Sequence, residues 1–167
     1  MRTATVLSAA LAAAFSFGAA TAEAQSTSAN IQATATVLSA VTVTGATDLQ
    51  FGNVTPGVNK TIGIADAGAG RFDVIKAATE GVTLAFTLPA NLTSGGNTLP
   101  IGSWTGGWNT SVTPAGAITF TPSAGGTNTA ATAGTTLSVY VGATVSPAAG
   151  QAAGSYAGTV TMSAIYF

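Results

Sequence analysis

The sequence predicts an all-β fold, an antiparallel sandwich or barrel, and three observations carry that reading. Several segments alternate apolar and polar residues with a period of two, the pattern of a strand with one buried face. Clusters of Gly, Pro, Asn and Ser separate these segments at intervals of about 8–12 residues, the spacing of short strands joined by tight turns. Thr, Val and Gly dominate, and no window sets apolar residues at the helical period.

In chain order, the first candidate strand is 31–37, where Ile31, Ala33, Ala35 and Val37 fall on one face and Gln32, Thr34 and Thr36 on the other. Residues 41–44 repeat the alternation, and Asp48-Leu49-Gln50-Phe51-Gly52 follows as the end of a second strand. Further candidates are 58–64, 72–76, 82–88, 117–121, 137–145 and 156–167. The stretch 93–113 holds Gly95-Gly96-Asn97, Pro100, Gly102, Gly106-Gly107 and both tryptophans, Trp104 and Trp108. Its glycines predict a long hairpin or loop excursion. Residues 123–134, polar and low in complexity, read as an exposed loop.

The N-terminus carries a different signal. Met1-Arg2 precedes an Ala-rich apolar run to about residue 20, and Ala22 and Ala24 are the small residues expected before a cleavage site. This is the pattern of a secretory signal peptide spanning 1–24. The run is broken by Ser8 and Ser16 and falls short of the roughly 20 strongly apolar residues of a membrane span. Export is therefore expected, with 25–167 forming a single β domain preceded by a short extension.

Composition narrows the chemistry. Charged residues make up 5% of the chain, against about 25% in ordinary soluble domains. Only four residues are basic and the formal net charge is −1, so no basic patch exists for nucleic acid. Histidine and cysteine are absent, which removes the commonest general base, the thiol nucleophile and most transition-metal ligand sets. Beyond the leader the carboxylates are Asp48, Asp66, Asp73 and Glu80. They read as turn and strand-end residues neighbouring Lys60, Arg71 and Lys76 rather than as a paired acid–base site. No catalytic, cofactor or metal residue is assigned. Trp104 and Trp108 are candidate ligand contacts, since indole faces stack on sugar rings, although two aromatics covering the end of a sandwich serve equally well.

Two motifs carry a family likeness. Asp48-Leu49-Gln50-Phe51-Gly52 resembles a motif of spore-coat-U-like exported domains. The run from Gly154 to Phe167 resembles the closing strand of chaperone–usher pilins, with Gly154 fourteenth from the end, Tyr166 penultimate, and Tyr156, Val160, Met162 and Ala164 between them. The resemblance implies an immunoglobulin-like, pilin-type antiparallel sandwich that lacks one strand. It also implies that a periplasmic chaperone, and then the N-terminal segment of the next subunit at an outer-membrane usher, would supply that strand by β-augmentation. The disulfide common in those families has no counterpart here, because the chain has no cysteine.

The expected function is a non-enzymatic subunit of a surface fibre or coat that self-associates. The alternatives are a carbohydrate-binding or adhesive module using Trp104 and Trp108, and a small outer-membrane barrel. In the fibre reading Ile31, Ala33, Ala35 and Val37 are the donor-strand face. The same alternation also fits the domain's own first strand, paired within the chain. The short, polar leader 25–30 that this pairing would leave favours the internal strand. Because His and Cys are lacking, elemental analysis of the purified protein should find no stoichiometric transition metal.

Overall fold

The computed structural model describes residues 28–77, 80–130 and 134–167; the expected signal peptide lies outside them. The chain divides between Thr36 and Val37. On the N-terminal side, residues 28–36 are exposed and belong to no strand.

From Val37 onward the described residues form ten strands. These are β1 (Thr42–Thr47), β2 (Lys60–Ile62), β3 (Gly70–Ile75), β4 (Val82–Thr87), β5 (Asn91–Ser94), β6 (Asn97–Asn109), β7 (Ile118–Phe120), β8 (Thr127–Ala130), β9 (Thr136–Val145) and β10 (Thr161–Tyr166). They make two antiparallel sheets. The larger runs β1-β3-β9-β6-β5, with β2 beside β9 and β7 beside β6; the smaller runs β10-β4-β8. Among the described residues neither sheet closes on itself, an arrangement consistent with a β-sandwich.

Strand β9 is the axis of the larger sheet. Its odd-numbered positions Leu137, Val139, Val141, Ala143 and Val145 are at most 1% exposed. The even-numbered Ser138 and Tyr140 on its other face are also buried, under the 63–69 and 110–117 connections that bring Ile64, Asp66, Val112 and Pro114 around Tyr140. A strand buried on both faces contributes the most apolar area per residue. The smaller sheet presents Val82, Leu84 and Phe86 from β4 and Met162 and Ala164 from β10. The pairs Met162–Phe86 and Ala164–Leu84 stand opposite each other in register. With Val74, Leu137, Val139 and Val141 these side chains form the main core.

Two expectations are corrected, and a third is narrowed to one of its alternatives. Of the two readings of residues 93–113, the hairpin is the one found: Gly95-Gly96 is the turn of the β5–β6 hairpin, and β6 is the longest strand described. Within β6 one extra residue is inserted between Gly102 and Thr105 opposite Thr144 and Gly142, and Ser103 takes φ 47° there. This bulge inverts the alternation. Upstream of it Leu99 and Ile101 face the core, and downstream Gly106 and Trp108 do so, opposite Val141 and Val139. Residues 123–134 contain β8, which pairs with β4. Residues 31–37 are not an internal first strand, because no strand begins before Thr42 among the described residues.

Leu84 is fully buried where the two sheets meet. Leu84→Ala should cost about 2–5 kcal/mol, measured by equilibrium urea unfolding.

Candidate functional site

The two sheets differ in extent, and the difference opens a site. The smaller sheet covers the part of the larger sheet built from Val74, Leu137 and Val139. Further along the same inner face, Leu99, Ile101, Ala143 and Val145 form a second cluster that no strand of the smaller sheet joins. Irregular chain borders it instead, and between the borders lies a groove of about 1200 Å³. Its floor is apolar, made by Phe72, Leu92, Leu99, Ile101, Val141 and Val145.

One wall is residues 47–54, which follow β1. The Asp48–Gly52 motif lies in this wall and forms no strand, contrary to the sequence expectation. The wall is held by Gln50 N–H donating to Gly68 O at 2.8 Å and by Lys60 Nζ donating to Asn53 O at 2.9 Å. Leu49, Phe51 and Val54 pack inward against the second cluster. Gly68 is required for this approach, since a Cβ there would run into the Gln50 carbonyl.

The other wall is residues 151–160, which precede β10. Thr93 and Ala157 exchange both backbone hydrogen bonds, at 2.8 and 3.0 Å, and so fasten the wall to β5. Gly158 lies so close to β5 that a Cβ would stand 2.8 Å from Leu92 Cδ2. Tyr156 packs on the second cluster while its hydroxyl donates to Ala152 O at 2.8 Å and accepts from Gln151 Nε2 at 2.7 Å.

The C-terminal motif is thus divided between two places. Gly154, Tyr156 and Val160 line the groove, Met162 and Ala164 enter the main core, and Tyr166 stands at the end of β10. Burial alternates along β10, with Thr161, Ser163 and Ile165 exposed between the buried positions. Residues 156–160, expected as part of the same strand, touch strand geometry only at Ala157.

The end of β1 supplies Gly45 and Thr47 to the groove lining, and β10 starts at Thr161, just beyond Val160 at its rim. β1 pairs only with β3, and β10 only with β4. They come close to each other without pairing, and the groove opens where β1 ends and β10 begins, between Gly45 and Thr47 on one side and Thr159 and Val160 on the other.

The candidate donor-face residues Ile31, Ala33, Ala35 and Val37 are all exposed, Ile31 at 95% and Val37 at 94%. Trp104 and Trp108 are half-buried and packed on the core, Trp104 touching both clusters. The carboxylates do not converge. Asp73 pairs with Arg71 at 3.1 Å and accepts from Ser138 Oγ at 3.0 Å, while Asp66 Oδ2 accepts from Gly63 N–H at 2.7 Å in a turn. The groove therefore joins an apolar floor to walls rich in main-chain polar groups, a lining that can take an extended chain.

Gly68→Ala should displace the Gln50 wall and destabilise the fold by about 1–3 kcal/mol, read as a lowered urea midpoint. No protein-family model matches the chain, and no curated protein matches it in sequence.

Proposed function

We propose that this protein is a non-enzymatic structural subunit of an exported surface fibre or coat, and that copies join by strand complementation. In this reading the sandwich is immunoglobulin-like and one strand short. An extended segment of another copy lies along the free edge of β10 and completes the smaller sheet over the second apolar cluster. The supporting observation is the groove itself, an apolar floor beside the end of β1, which has an unpaired edge, with β10 starting just beyond its rim.

The donor is the 31–37 segment. It has the period-two face a groove requires, with bulky Ile31 and Val37 at its ends and Ala33 and Ala35 between, and its apolar side chains are exposed. Each second side chain enters the groove while the backbone pairs with the edge. Before assembly, a periplasmic chaperone would cover the same groove and an outer-membrane usher would exchange it for the donor. Both partners are proposed from the resemblance of the Gly154–Phe167 run to pilin closing strands. The adhesive-module alternative draws on Trp104 and Trp108, and both indoles pack on the core.

Deleting residues 25–38 should leave a folded, monomeric domain, because the unit from Val37 onward contains both sheets. A synthetic peptide of residues 28–38 should then bind and raise the stability of that domain, by about 2.7 kcal/mol at a hundredfold excess over Kd. A peptide with Ile31→Asp and Val37→Asp should give no stabilisation. A truncated domain that folds and shows no response to the native peptide overturns the proposal.

A further inference from the structure

A strand-complementing subunit faces a competition that its own structure must resolve. The donor segment and the groove are on the same chain, and a short tether gives a segment an effective concentration of about a millimolar towards a site it can reach. At micromolar protein, self-insertion would then outcompete insertion into another copy. Something must prevent the segment from turning back.

The place to look is where the segment meets the domain. The Tyr166 hydroxyl donates to Ser39 O at 2.9 Å and accepts from Ala77 N–H at 2.7 Å. It thereby ties the root of the N-terminal segment to the β3–β4 connection. Lys76, beside that bond, is held in turn: it is 3% exposed, and its ammonium donates to the carbonyls of Ala77, Glu80 and Gly134 at 3.1, 2.7 and 2.8 Å. Lys76 N–H adds a bond to Thr135 O at 2.9 Å. The anchor of the root is therefore a node joining four separate stretches of chain.

Its position matters as much as its strength. Exposure rises from 37% at Leu38 to 94% at Val37, so the chain leaves the surface immediately beyond the tie. Pairing of β1 with β3 begins at Thr42, opposite Ile75. Between the tied Ser39 and the paired Thr42 lie only Ala40 and Val41, and Val41 packs against the main core. A reversal there would be a four-residue turn closed by the Ser39 carbonyl, the group that Tyr166 already engages. Two-residue hairpin turns also favour Asn-Gly or Gly at the centre, not Ala-Val.

We propose that Tyr166 is a positioning residue that pins the root of the N-terminal segment, directing it to the groove of a second copy and away from its own. This inference rests on the strand-complementation reading. Tyr166 ends the strand whose first residue follows the groove rim, so the pin and the proposed acceptor edge belong to one element.

The test exploits the absence of cysteine. Ala33→Cys on the donor face and Ala153→Cys on the exposed groove wall are combined in the chain as exported and treated with a short bis-maleimide. With Tyr166 present, the products on a denaturing gel should be interchain ladders. Adding Tyr166→Phe, which keeps the ring and removes the hydroxyl, should raise the intrachain monomeric product roughly tenfold or more. A change in stability alone would not redirect the cross-link. If Tyr166→Phe fails to fold, Gly-Gly inserted between Leu38 and Ser39 supplies slack beyond the pin and should give the same intrachain product. Ladders unchanged by either alteration overturn the pin and leave strand complementation standing, as would intrachain product already dominant with Tyr166 in place. No cross-link of either kind, in any variant, overturns strand complementation itself.

Discussion

The inner face of the larger sheet is longer than the smaller sheet that covers it, and the rest of the structure follows from that mismatch. β9 places five apolar side chains on this face, from Leu137 to Val145. The smaller sheet meets the first of them, and Ala143 and Val145 lie beyond its reach, beside Leu99 and Ile101. Apolar surface left in water costs roughly 25 cal/mol per Å², so the chain covers the remainder with what it has. The 47–54 and 151–160 segments lean inward and bury Leu49, Phe51, Val54 and Tyr156. They narrow the gap without supplying a strand, and the groove is what remains.

Irregular chain can be held over an apolar floor only if its own polar groups are satisfied. Each wall solves this locally. Gln50 bonds to Gly68, Gly57 to Ala148, and Thr93 to Ala157, all through the backbone. The glycines at 68, 154 and 158 let the walls approach their neighbours more closely than a side chain would allow. The groove is thus a shape held by backbone hydrogen bonds and by close approach at glycines.

The sequence makes the apolar strands plain and the site obscure, for physical reasons. Segments 72–76, 82–88 and 137–145 alternate strongly, and β3, β4 and β9 lie there. β6 is hidden because its glycines look like turn signals. In the fold Gly106 and Gly107 are in mid-strand, where a Cβ would collide with Phe120 and Ile64 respectively. β8 is too short and polar to announce itself. Residues 31–37 show the limit of periodicity most clearly: the alternation marks a chain suited to a strand and carries no information about its partner. The groove depends on which edges fail to pair, a property of topology. Even so, both motifs that carry the family likeness line it, through Leu49 and Phe51 on one wall and Gly154, Tyr156 and Val160 on the other.

Free strand edges are hazardous, and proteins ordinarily guard them with lysine, proline or a covering loop. β5, at one end of the larger sheet, follows this rule: residue 157 lies against it. β2 carries Lys60 on its short run. The two edges beside the groove are different. β1 reads Thr-Val-Thr-Gly-Ala-Thr and β10 reads Thr-Met-Ser-Ala-Ile-Tyr, with no charge and no proline in either. Residues 28–38 share both absences. Nothing in these three segments opposes β pairing, and β1 ends within the groove lining while β10 starts just beyond it. Charge is scarce throughout the chain: Asp48 and Arg71 are among the residues lining the groove, Arg71 pairs with Asp73, and Lys76 is buried among carbonyls. An undefended edge is a liability in a solitary domain and a requirement in a subunit whose neighbour must add a strand. The lack of charge and proline in β1 and β10 leaves both edges open to a further strand.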